Sequence, residues 1–134
     1  MANEIWKKAL STITAQASAA ITADALSGGS TTTINRAGSG GNAEGAFEAD
    51  IYVNVTSGPS GGDATAEIWM EASDDNSTFC EDEYCLSVKI PSSQTGRFHA
   101  GVVELPKYCN LKIKAVDYGF TASMLAVPQL PEAQ

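Results

Sequence analysis

The chain is poor in the residues that catalysis and metal binding draw on. Of its 134 residues, one is histidine (His99) and three are cysteine (Cys80, Cys85 and Cys109). No CxxC pair is present and one imidazole cannot complete a mixed set, so no zinc site is expected. An odd, small cysteine count is also a poor disulfide framework. The thiols read as reduced, partly buried small apolar groups; one bridge, Cys80–Cys85 or Cys85–Cys109, is the alternative. Cations are scarce: 8 Lys and Arg against 16 Asp and Glu leave a net charge of −8. That excess repels phosphate backbones and disfavours nucleic acid as a partner. No apolar run reaches the roughly 18 residues of a membrane helix, so no membrane association is expected. Residues 10–23, which follow Lys7 and Lys8, are broken by Ser11, Thr12, Thr14, Gln16 and Ser18. They are too polar for a signal-peptide core and read as mature chain. Also missing are a long amphipathic helical pattern and a fixed-period repeat.

What the chain has is a period of two. Across residues 47–55 every odd position is apolar, and Glu48, Asp50 and Asn54 hold three of the four even ones. Across 64–72 the even positions, Ala64, Ala66, Ile68, Met70 and Ala72, repeat the pattern. Such alternation makes a pleated strand with one buried and one wet face. Further strands are expected at 31–35, 84–90 (Leu86, Val88 and Ile90 on one face), 97–105 (Phe98, Ala100 and Val102 inward), 108–116 and 120–127, where Pro128 and Pro131 end the last. Gly- and Asp-rich turns fall between them. The reading is all-β: a two-sheet antiparallel β-sandwich or jelly roll of seven to eight strands. Hydrophobic residues make up 43% of the chain, and a single domain of this length buries about 65–70% of its unfolded surface. Three segments are expected: 1–28 as an N-terminal arm or edge segment, 29–128 as the sandwich, and 129–134 as an extended tail. Within the first, a short helix over 4–10 and an extended stretch over 11–21 are both compatible with the composition.

The candidate chemistry is thin. If Phe98 points inward, His99 faces solvent, as a surface histidine rather than a general base. Glycosidases set two carboxyls across a cleft, whereas Asp74, Asp75, Glu81, Asp82 and Glu83 crowd adjacent turns. The same run echoes a calcium loop but lacks its central glycine and final Glu, and reads as a polar hairpin turn. The glycine-rich segments 28–29, 38–41 and 58–62 carry no Lys-Ser or Lys-Thr and lead into no helix, so they are loops and not phosphate cradles. No catalytic, metal-binding or cofactor-binding residue is assigned, and no enzymatic activity is expected. The side chains that stand out are contact residues. Trp69 lies opposite Ile68 and Met70, Tyr52 on the polar face of its own strand, and Tyr118 in a turn. Trp6, Leu10 and Ile13 are anchors of the N-terminal segment. Exposed Trp and Tyr often anchor interfaces.

Taken in order, residues 47–55, the strand 63–72 ending in the Ser73-Asp74-Asp75-Asn76-Ser77-Thr78-Phe79 turn, the Leu105-Pro106-Lys107-Tyr108-Cys109-Asn110-Leu111-Lys112 run and residues 120–127 resemble small β-sandwich virion proteins of tailed bacteriophages. The resemblance spans about residues 45–127 of the chain. Asn76 stands where that family usually has a turn glycine, and three cysteines are unusual for it. The resemblance implies a capsid decoration or cement protein located on the virion and assembled in the host cytoplasm. Its partners would be the major capsid protein or other virion proteins, and it would self-associate, with a trimer as the implied guess. A tail or head–tail component of the same fold, or a glycan-binding adsorption module stacking sugars on Trp69, Tyr52 and Tyr118, are the alternatives.

Overall fold

The computed structural model describes residues 5–26 and 30–133, with the backbone alone for 5–8 and 132–133. Among the described residues nine strands form: Ile5–Ala9 (β1), Ile13–Ile21 (β2), Ile34–Asn35 (β3), Glu48–Ser57 (β4), Ala64–Ser73 (β5), Glu83–Ile90 (β6), Gly96–Glu104 (β7), Tyr108–Val116 (β8) and Phe120–Ala133 (β9). No helix forms among the described residues. The helix considered for residues 4–10 is replaced by β1, whose backbone pairs with the end of β9 from Gln129 to Ala133.

The pairing has a simple rule. β5 pairs with β6, β4 with β7, β3 with β8 and β2 with β9, all antiparallel. The chain is thus one long hairpin, folded between β5 and β6, whose successive rungs fall alternately into two sheets. One sheet runs β1–β9–β4–β7 with β2 also on β9, and the other runs β3–β8–β5–β6. This is the jelly-roll form of the two-sheet sandwich, with β1 added beside the tip of β9. Among the described residues no helix is long and apolar enough to cross a membrane.

Alternation puts the core where the sequence pattern places it. Ala49, Ile51, Val53 and Val55 of β4 face Ala64, Ala66 and Ile68 of β5 and Cys109, Leu111, Ile113 and Ala115 of β8, all buried. Ile13, Ala15 and Ile21 bring β2 into the same core. The 73–78 turn closes on itself. The Asp75 carboxylate accepts from the Ser77 and Thr78 N–H groups and from the Ser73 hydroxyl. Asn76 sits at φ 58°, in the left-handed region that Asn tolerates better than most residues. That geometry explains why Asn can stand in for a turn glycine.

Two expectations are corrected. Val102, expected inward, points out and Val103 points in. The register slips between Ile51 and Tyr52, which pair with Gly101 and His99, so Ala100 is the extra residue of a β-bulge. A bulge reverses the inside–outside assignment of everything beyond it. The last strand also does not stop at Pro128. The Pro128 carbonyl accepts from the Leu10 N–H at 2.8 Å. Its missing N–H therefore faces the same side, just past the last β1 pair at Ala9. By alternation the Pro131 nitrogen faces β4, whose pairing ended at Gln129. Both prolines thus stand where the β9 ladder ends or changes partner, so the strand tolerates them.

Candidate interaction faces

Each sheet has a wet outer face, and the two faces carry different clusters. On the five-stranded sheet, in-register neighbours put Asp50, Tyr52 and Asn54 of β4 beside Val102, His99 and Arg97 of β7 and Val127, Leu125 and Ser123 of β9. Tyr52 sits at the centre. Its ring lies 4.9 Å from the His99 imidazole, and the Arg97 guanidinium caps it at 4.6 Å from the ring centroid. Asp50 is held between two partners: His99 Nε2 lies 3.0 Å from its Oδ1, and Gln129 Nε2 donates to its Oδ2 at 2.9 Å.

On the four-stranded sheet the centre is Trp69. Its indole N–H donates to Glu67 Oε1 at 3.2 Å, Tyr84 meets it edge-on at 6.0 Å, and Lys114 Nζ stands 5.8 Å from its ring centroid. A polar chain runs alongside. Thr33 donates to Asn110, Asn110 donates to Glu71, and Lys112 bridges Glu71 and Asp82 at 3.5 and 3.3 Å. Tyr84, at 52% exposure, is the most open large apolar side chain described. The sequence pattern did not single it out, because β6 carries a register shift between its pairs with Ile68 and Trp69.

The contact residues expected from the sequence do not form one surface. Tyr52 and Trp69 occupy opposite outer faces of the sandwich, because β4 and β5 belong to different sheets. Tyr118 lies in the β8–β9 turn, its ring against the Gly61–Gly62 backbone, where a Cβ on Gly62 would meet it at 2.5 Å. Ile13 is part of the core and Leu10 packs on it. The Trp6 backbone pairs with Glu132 in β1, and its side chain lies outside the described residues.

The thiols gather at one end of the sandwich. A cavity of about 130 Å³ is lined by Met70, Ala72, Cys80, Glu81, Glu83 and Cys85. All three cysteines are unbridged. Burial, and then the Glu83 charge, raise the Cys85 thiol pKa, while burial and the neighbouring Cys85 push Cys109 up to about 12. Burial of this kind suits packed, unreactive thiols at Cys85 and Cys109, whereas Cys80, expected to be partly buried, is exposed. His99 stands on the outer face of the other sheet. Among the described residues no group of three or more His, Cys, Asp and Glu side chains could hold a metal ion.

Compared with protein-family models, with curated proteins and with solved structures, the chain finds no match in any of the three.

Proposed function

We propose that this protein is a non-enzymatic structural component of a tailed-phage particle, a decoration or cement protein that binds the capsid surface and stabilises it. The observation that carries this reading is the pair of outer faces. Each has an aromatic centre and a rim of charged side chains, the anatomy of a contact surface. The jelly roll supports it as an architecture that viral capsid and lectin domains use, although a fold alone does not fix a function. The acidic balance of −8 suits a protein that works at high local concentration on a particle and not on nucleic acid. Capsid or other virion proteins are the partners of this reading. Purified protein should co-sediment with capsids lacking it and raise their thermal disruption temperature. A protein that stays in the supernatant would overturn the reading, and a particle reconstruction that places it on the tail would move it to a tail or head–tail role.

The Trp69–Tyr84 pair favours a second reading, a glycan-binding adsorption module. Aromatic rings beside Glu67, Glu71 and Asn110 offer a stacking surface next to hydrogen-bonding groups. Saccharide binding that Trp69→Ala abolishes would support it, and a glycan array without hits would remove it.

A further inference from the structure

We infer that the outer face of the five-stranded sheet is where two copies of this chain pair face to face, their strands running in opposite directions across a two-fold axis. The inference goes beyond the virion reading and does not depend on it. Its symmetry is two-fold, where the sequence resemblance pointed to three.

The argument is one of charge placement. On the two sides of the bulge, the outward residues of β7 are Arg97 and His99 before it and Val102 and Glu104 after it. His99 is matched within the molecule by Asp50. The two ends are not matched. Among the described residues, Arg97 has only the Tyr52 ring beneath it and no carboxylate within ion-pair distance, and Glu104 has no cation in reach. The two residues stand on one face at opposite ends of one strand, about 20 Å apart at the rise of a β-strand. They cannot reach each other in one molecule.

A second copy laid on this face solves the problem in only one orientation. A two-fold axis in the plane of contact and perpendicular to the strands reverses strand direction. Each Arg97 then lies over the other copy's Glu104, and the isologous contact makes the pair twice. An axis along the strands would lay the edge strand β7 over the other copy's opposite edge, so that neither Arg97 nor Glu104 meets its counter-charge. Between the charged ends lie Tyr52, Val102, Leu125 and Val127, all at least partly open, with Val102 at 42% exposure. These apolar groups share the centre with Asn54 and with the Asp50–His99 pair, whose charges are matched within each copy, so the unmatched charges stand at the two ends.

The area sets the strength. Four strands about 4.8 Å apart and roughly 20–25 Å long present on the order of 400–500 Å² per copy. That is about half of the ~800 Å² per partner of a standard stable interface. The pair is therefore weak in dilute solution and is favoured where copies are held close together.

Sedimentation of the full chain in low salt, over a concentration series up to ~1 mM, tests it. The mass is expected to rise from 13.9 kDa toward twice that value. Arg97→Glu and Glu104→Arg should each weaken association about tenfold or more, and the double variant should return to within about threefold of the parent. Val102→Lys, at an already exposed central position, should abolish it. Thermal melts of each variant separate a lost contact from a lost fold. A monomer at every concentration, a trimer, or association that ignores both charge swaps would overturn the inference. So would single losses that the double variant does not restore. None of these outcomes touches capsid co-sedimentation, so the two readings fail separately.

Discussion

Gln16 shows how much one side chain can carry. It is fully buried, and its Oε1 accepts the Ile113 N–H at 3.1 Å, joining β2 of one sheet to β8 of the other. The position matters because the edge of β8 is covered in pieces. Ile34 and Asn35 cover Tyr108 and Cys109, while bridges from Ala23 and Leu26 cover Ala115 and Lys114. Between them, among the described residues, the Ile113 N–H has no strand partner on that side, and the Gln16 amide takes the place of one. Gln16→Leu keeps the volume but strands that N–H, and a buried donor without a partner costs about 1–3 kcal/mol. Urea unfolding should show a loss of that size with little change in slope; an unchanged midpoint would show that the N–H finds another partner. Asp75 acts at the same scale through charge. Hydrogen bonds from the Thr78 and Ser77 N–H groups, then from the Ser73 hydroxyl, hold its carboxyl below the ordinary value of 3.8. A carboxylate with a depressed folded-state pKa binds fewer protons folded than unfolded. It therefore stabilises the fold above its unfolded pKa, and that contribution fades as pH falls through the folded value. Asp63, held low by the Ser92 N–H and by Lys89, behaves the same way. Stability followed from pH 5 to pH 2 should decline more shallowly in Asp75→Ala than in the parent, and equal slopes would count against this role for the turn.

At the scale of elements, bulges mark where the sequence stops being legible. The strands β4, β5 and β8 could be read residue by residue, because strict alternation with one face buried specifies both the element and its sidedness. In β2, register shifts on either side of Gln16 turn two adjacent residues, Ala15 and Gln16, inward together, a pattern that no period of two contains. In β7 the single extra residue Ala100 exchanges the roles of Val102 and Val103. The candidate faces were legible only in part for a related reason. Alternation says that Tyr52 and Trp69 are wet, but not that β4 and β5 lie in different sheets, which depends on long-range pairing. The β7 bulge also offers a test. Gly101 sits at φ 142°, in a region that L side chains rarely adopt, and an added Cβ would meet Leu86 at 3.1 Å. Gly101→Ala is expected to cost about 1–3 kcal/mol, because the strained backbone must be held or the bulge must move. If the bulge moves, the His99–Asp50 contact moves with it, and the His99 ring resonances would report the shift. A variant as stable as the parent with unshifted His99 signals would show that the glycine is not needed there.

Across the whole molecule, the rolled hairpin sets the order in which segments matter. Because β2 pairs with β9 while β1 only borders its tip, the first two strands contribute unequally, although both lie near the N-terminus. β2 supplies Ile13, Ala15 and Ile21 to the core and the Gln16 bond to β8. β1 adds five backbone pairs from Ile5 to Ala9 along the end of β9. Removing residues 1–9 exposes that end of β9 and leaves the eight-stranded jelly roll whole. Removing residues 1–21 opens one side of β9 along its length, takes three apolar side chains out of a close-packed interior and strands the Ile113 N–H. Fully burying one Ile side chain is worth about 1.5–3 kcal/mol, and a domain holds only about 5–15 kcal/mol in reserve. The second truncation should therefore cross the threshold that the first does not. Thermal unfolding followed by circular dichroism is expected to stay cooperative after the shorter deletion, with a lower midpoint, and to lose its cooperative transition after the longer one. A longer truncation that still melts cooperatively would mean that β9 and β4 hold the sheet without β2, and that the rolled hairpin closes at its β4–β7 rung rather than at β2–β9.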